Sequence, residues 1–372
     1  MGTTTYGVND ALAVKVWSKL LDHEALKYTD IGPLIGNDAN SIIHRKTELQ
    51  KGEGDQITYG IRMQLSGDGF TENDVAEGNG ETLSTFSDAL VINELGHVVG
   101  VKSKNTIDQQ RVPFNLREEA RDALADWYAK RFSVAFFNHV CGYTPQTDVK
   151  YTGLNAVSAT ASTRIIRQSA RANDQSLVAG DVFTLDLIDK AKELATTATP
   201  PLRPVKVSGN RKRRDYNTTL TDKYVVYLHE YQVTDLRTST STGQWMDIQK
   251  AAMMGGDVTG NPLYTGALGE YNGCILRKSY DVTYGVHGST GAAVTSVRRA
   301  VLLGGQACML AFGNGADGSG SSPTKYRWNE ELFDHKRKLE VSAWTIHGLR
   351  KTRYNSVDYG CVVISTYAVA HT

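Results

Sequence analysis

Gln56-Ile57-Thr58-Tyr59-Gly60-Ile61-Arg62-Met63-Gln64-Leu65 alternates without a break, with Ile57, Tyr59, Ile61, Met63 and Leu65 on one side and Gln56, Thr58, Arg62 and Gln64 on the other. A period of two is the pattern of a strand with one apolar face. No helical pattern is sustained from Ser41 to Lys104, so this row sits inside a long extended region. The returning arm, Leu83 to Val101, is rich in Val, Leu and Ile but alternates less cleanly, which predicts a paired strand carrying a bulge or a twist. Arms of about twenty residues could reach at most about 60 to 70 Å, whereas a compact globule of this chain length is roughly 54 Å across. A lone two-stranded ribbon is marginal in water, and its apolar row must be covered. The cover can come from the same chain or from a neighbour, and the length of the ribbon favours the neighbour.

Between the arms, Asp68 to Glu81 carries Asp68, Glu72, Asp74, Glu77 and Glu81 with no Lys or Arg, along with Gly69, Gly78 and Gly80. A solvated loop is the bland reading and an inter-subunit contact the sharper one. The spacing lacks the alternating ligands of a calcium loop. Downstream, Asn115 with Glu118 resembles a capping box, Pro113 precedes it and Gly142 stands where a helix stops, predicting a helix from Asn115 to Cys141 roughly 40 Å long. Leu116, Ala120, Leu124, Trp127, Tyr128 and Val134 form its apolar stripe, and Asp126 with Lys130 is a favourable pair one turn apart.

Elsewhere, helices are expected at Ala11 to Leu26, Leu185 to Ala195 and Gln244 to Met254. Strands are expected at Tyr224 to Leu228, Cys274 to Leu276, Val297 to Leu303, Cys308 to Phe312, Leu339 to Ile346 and Gly360 to Tyr367. The Pro200-Pro201-Leu202-Arg203-Pro204 run ends the Leu185 helix and marks a boundary nearby. The fold class is α+β.

Lys plus Arg number 41 against 40 for Asp plus Glu, so the chain has no global basic field of the kind that marks a dedicated nucleic-acid binder. The first ten residues carry no cationic stretch followed by an apolar one, and Ala300 to Gly313 is too short to cross a bilayer, so neither export nor a membrane is expected. The cysteines, Cys141, Cys274, Cys308 and Cys361, are scattered and read as free thiols. HExxH, GxxxxGK[ST] and GxSxG are all absent, so no catalytic, cofactor or metal residues are assigned and no enzyme is expected. One basic run stands out, Arg211-Lys212-Arg213-Arg214. It reads as a solvated loop, as a contact to DNA phosphates, or as a dock for the acidic tip of an adjacent subunit.

Several long segments then resemble one family. They are Thr5-Tyr6-Gly7-Val8-Asn9-Asp10, the Lys51-Gly52-Glu53-Gly54-Asp55 turn, Arg111-Val112-Pro113-Phe114, Thr238 to Ala251, Asn261 to Gly273 and Asn355 to Ala368. In that order they look like the coat proteins of N4-like phages, and through them like the Hong Kong 97-type capsid fold. The resemblance implies an N-terminal arm (1–40), an extended loop (41–112), a peripheral domain (113–180) with a spine helix at 115–141, an axial domain (181–335) and a return to the peripheral domain (336–372). It also implies hexamers and pentamers of an icosahedral shell in the virion, a portal protein, scaffolding or decoration proteins, and weak non-specific contact with packaged double-stranded DNA. Ile57, Tyr59, Ile61, Met63, Leu65, Asp68, Glu72, Asp74, Glu77 and Arg211 to Arg214 are the expected inter-subunit residues. A cellular nanocompartment shell of the same fold is the alternative.

Overall fold

The computed structural model describes residues 31–46, 48, 54–62, 67–72, 74–82, 85–102, 106–113, 115–207, 221–239, 268–313 and 325–371. The expected helices at Ala11 to Leu26 and Gln244 to Met254 lie outside them. The principal elements are β1 (Gln56–Arg62), β2 (Thr85–Val91), β3 (Asn93–Lys102), α1 (Leu116–Val140), α2 (Leu185–Thr197), β4 (Thr221–Leu228) and α3 (Glu230–Thr238). They continue with β5 (Cys274–Lys278), β6 (Ala293–Leu303), β7 (Cys308–Phe312), β8 (Tyr326–Phe333), β9 (Lys338–Lys351) and β10 (Cys361–Tyr367).

Two sheets carry the body. In the eight-stranded sheet, β10, β6, β4 and β5 lie side by side, with β6 antiparallel to both neighbours and β4 parallel to β5. Odd and even residues of these strands face different cores. Val225, Tyr227, Val301, Leu303 and Val363 pack with the long helix. Tyr224, Val226, Leu228, Ala300, Leu302, Val362 and Ile364 pack with α2 and α3. A sheet buried on both faces explains why these strands read as continuous apolar runs rather than alternating ones.

The six-stranded sheet is organised by β9, which pairs antiparallel with β3, β7 and β8. β7 is also apolar on both faces. Cys308, Leu310 and Phe312 face the long helix, while Met309 and Ala311 face the other way. Because β7 and β8 pair with β9, the segment expected as axial, 181–335, is divided between the two sheets.

The 25 residues of α1 run about 38 Å. Asn115 caps its start by accepting from the Arg117 N–H at 3.1 Å, with Glu118 and Glu119 in the first turn where the helix dipole favours them. Its stripe of Ala120, Leu124, Tyr128 and Phe132 widens into near-complete burial from Ala135 to Val140, because the helix passes from lying on one sheet to lying between both. Phe132 meets Phe312 of one sheet and Phe137 meets Tyr227 of the other, at ring distances of 6.1 and 5.4 Å. Lys130 pairs with Asp281 rather than with Asp126. The Asp281 carboxylate is only 8% exposed, so it has more to gain from a cation than the solvated Asp126.

The helix ends in the core. Gly142 takes φ 63°, and a Cβ there would stand 2.4 Å from Thr160 Oγ1 and 2.7 Å from its backbone nitrogen, so only glycine fits. Arg299 of β6 donates to the Cys141 and Gly142 carbonyls at 3.0 and 3.2 Å and pairs with Asp174 at 2.7 Å. Asp174 is wholly buried and also accepts from Arg167 at 2.8 Å and from the Val286 N–H at 3.0 Å. Burial pushes its carboxyl up, but Arg299, the Val286 N–H and Arg167 together outweigh that and hold it below the usual range.

Removing one partner of such a pair strands the other charge in the core. Asp174→Ala is expected to lower unfolding free energy by about 3–5 kcal/mol in urea titrations of the purified chain. A second expectation concerns acid. His139 and His229 are buried, and desolvation lowers both to about 4 from 6.5. Both are neutral in the fold, and His229 Nδ1 must be unprotonated to accept from the Tyr231 N–H at the start of α3. The unfolded chain takes up these protons near 6.5, so stability is full above that value and falls as pH drops toward 4. The slope is about 1.4 kcal/mol per pH unit for each histidine. Thermal midpoints between pH 7 and 4.5 check this, with His139→Gln expected to flatten the slope.

Candidate assembly interface

The ribbon of β1 and β2 pairs Gln56 with Val91 through to Arg62 with Thr85, seven residues on each side and about 24 Å long. The return arm is not one strand. It breaks at Ile92, after which β3 leaves the ribbon and joins β9. Gly348 of β9 permits this crossing, because a Cβ there would stand 2.3 Å from the Val91 carbonyl oxygen. Asn155, buried in the Ser/Thr/Ala-rich stretch after α1, holds the end of β2 like another strand. Its amide donates to the Val91 carbonyl at 2.7 Å and its oxygen accepts from the Val91 N–H at 3.0 Å. Nothing in the sequence around Asn155 signals that role.

The apolar row corrects an expectation. Ile57, Tyr59 and Ile61 are 7, 6 and 7% exposed, and they pack against Leu90, Met309, Ala311, Tyr354 and Tyr359 of the same chain. The cover of these three is therefore supplied by the chain itself. The physical reason is reciprocal need: the second face of β7 also requires an apolar lid, and the ribbon base supplies it. Tyr59 donates to Asp88 at 3.3 Å, and burial followed by the Asp88 charge pushes its phenol well above the usual range. Arg350 completes the anchor by pairing with Asp88 at 3.0 Å. Met63 and Leu65 lie outside the described residues, as do Arg211 to Arg214.

The loop beyond the ribbon is different. Asp68, Glu72, Asp74, Glu77 and Glu81 are all exposed, and Phe70 and Val75 between them are 51 and 70% exposed. The loop has internal order. Glu81 accepts from the Gly67 N–H at 2.8 Å, and Asp74 accepts from the Thr71 N–H and hydroxyl, both at 2.8 Å, which hold its carboxyl below the usual range. It is an anionic surface with apolar side chains on it, carried on a ribbon whose base is fixed in the body.

No site for chemistry converges among the described residues. No group of three or more His, Cys, Asp or Glu side chains is placed to hold a metal there. Cys274 and Cys308 are pushed by burial to about 11 and about 12, and burial raises Cys141 and Cys361 as well, so none offers a thiolate at neutral pH. No described helix is long and apolar enough to cross a membrane.

The major capsid protein of Pseudomonas phage KPP25 is 24% identical to this chain over 382 aligned residues, covering 95% of this chain and 94% of that protein. The capsid of Ralstonia phage GP4 superposes with a TM-score of 0.72 at 25% identity, covering 100% of this chain and 96% of that one. The cyanophage Pam1 capsid superposes with a TM-score of 0.69 at 20% identity, covering 92 and 93% of the two chains. The Hong Kong 97-type fold that the sequence segments implied is the fold observed. Matched by the phage capsid protein family from residue 5 to residue 370, the chain belongs to that family and is a major capsid protein, a shell component of the virion.

Proposed function

We propose that this capsid protein is a non-enzymatic tile, which joins copies of itself into hexamers and pentamers of an icosahedral head around double-stranded DNA. The observation that carries the reading is the exposed acidic loop, Gly67 to Glu81, with Phe70 and Val75 open to solvent on a firmly anchored ribbon. Exposed large apolar side chains within a loop of single-sign charge suit a contact with another subunit. The α1 helix and the six-stranded sheet serve as the peripheral domain, and the eight-stranded sheet with α2 and α3 as the axial domain. β7 and β8, Cys308–Phe312 and Tyr326–Phe333, belong to that six-stranded sheet. Portal, scaffolding and decoration proteins are its proposed partners. Packaged DNA is met through weak phosphate contacts, for which the Arg211-to-Arg214 run is the sequence's best candidate.

Deleting Gly67 to Gly80 removes no buried side chain among the described residues. The shortened chain should therefore keep its thermal midpoint while losing closed particles in electron micrographs, and normal shells from it would reject this role for the loop. Wild-type particles that protect DNA from nuclease support a phage head. Particles filled with protein cargo would support a nanocompartment instead.

A further inference from the structure

A guanidinium with no answering charge stands where α1 meets β3 and β9. Nη1 of Arg131, on α1, is shut off from solvent, and no acceptor reaches it among the described residues. A buried charged N–H with nothing to accept from it is a standing cost. At the end of the same helix the opposite holds, since Asp174 answers both Arg167 and Arg299. Arg131 is also kept from swinging outward, because its guanidinium lies 4.0 Å from the ring centre of Tyr151 and 5.1 Å from that of Trp127. Beside it is a cavity of about 20 Å³, whose lining includes Arg131 and Ala135 of α1, Asn93 of β3, His347 of β9, and Lys150 and Tyr151 of the short helix Val149–Thr152. That space takes one water-sized species. His347 Nδ1 is a second buried polar atom without a partner. Burial lowers His347 to about 4, so at neutral pH its ring is uncharged and one nitrogen carries a proton to donate. Lys150 of the lining is exposed, so the cavity opens to solvent beside a second cation, and no Asp or Glu lines it.

We propose that this cavity binds one small anion of chloride size, held by Arg131 and the His347 ring and drawn in by Lys150. Two cations, an imidazole donor and no carboxylate favour an anion over a neutral water. The volume is too small for a whole phosphate or sulfate group, which sets the ligand class. The rings of Trp127 and Tyr151 fix the guanidinium in advance, so little ordering is left for binding to supply. A bound anion joins α1 to the segment that follows it, which carries Asn155 and, through Asn155, the end of β2. The site therefore adds to the anchorage of the ribbon root, and it stands independently of the shell reading above.

Sodium chloride exchanged for sodium gluconate at constant ionic strength tests the site in the purified full-length chain. A ligand held only by the folded state raises stability with its concentration, so the wild-type thermal midpoint should climb with chloride. Chlorine NMR lines should broaden when the chain is added. Arg131→Gln should weaken binding about tenfold and remove both effects over the same range. Lys150→Gln should keep both effects and move them to higher chloride. Equal wild-type midpoints in chloride and gluconate, or equal line broadening by the wild-type and Arg131→Gln chains, would overturn the site and leave the cavity to a water. The wild-type chain supplies a further reading that does not depend on a variant folding: bromide should displace chloride and narrow the chlorine line, whereas sulfate should not. Displacement by sulfate as readily as by bromide would overturn the size limit and with it the proposed ligand.

Discussion

A long helix that ends inside a protein leaves carbonyl oxygens and the negative end of its dipole where water cannot reach them, and this fold is arranged around the answer to that problem. Arg299 projects from β6, in the middle of the eight-stranded sheet, and donates to the Cys141 and Gly142 carbonyls. A buried guanidinium needs a counter-charge, which is Asp174, and a buried carboxylate needs further donors, which are Arg167 and the Val286 N–H. Each group is admissible only because the next is present. The chain of necessity ties the helix end, the central strand, the turn that carries Asp174 and two short strands of the same sheet into one body.

From that node the helix reaches back across the six-stranded sheet, and its other face is built from the same logic of shared need. β7 lies between two cores, one shared with the helix and one with the ribbon base. Tyr128 fixes the helix to β9 by donating to the Ala343 carbonyl at 2.6 Å, so the sheet cannot slide beneath it without breaking a buried hydrogen bond. The ribbon is thereby anchored by apolar packing at its root, while its far end exposes carboxylates and large apolar side chains. A root packed into the body and an exposed, acidic far end are what the proposed contact with another subunit requires.

Much of this could be read in the residues. The cap at Asn115, the stop at Gly142, the core strands at Cys308 to Phe312 and Cys361 to Tyr367, and the β1 alternation all carry their own local signals, and the structure forms elements there. The expectations that needed revision concern partners. The ribbon row was expected to need a neighbour, because the ribbon's demand for cover is visible in its own alternation, whereas the matching demand of β7 is hidden in a run that is apolar throughout. The continuous return arm failed for a similar reason, since Gly348 lies far along the chain from the crossing it permits. Asn155 and Arg350 carry no local pattern at all, because their roles exist only once distant strands are in register.

By itself, then, the sequence determined the α+β class, the long capped helix, the extended ribbon with its acidic end, and the likeness to phage coat proteins. These follow from periodicity, capping chemistry and charge within short windows, where local sterics and hydrogen bonding decide the outcome. Tertiary structure alone decided which faces met: that the ribbon root closes on its own body, that Asp174 and Arg299 seal the helix end, and that Arg131 and His347 line one cavity. Burial and electrostatic pairing depend on distances between residues far apart in the chain, and a linear pattern does not contain those distances.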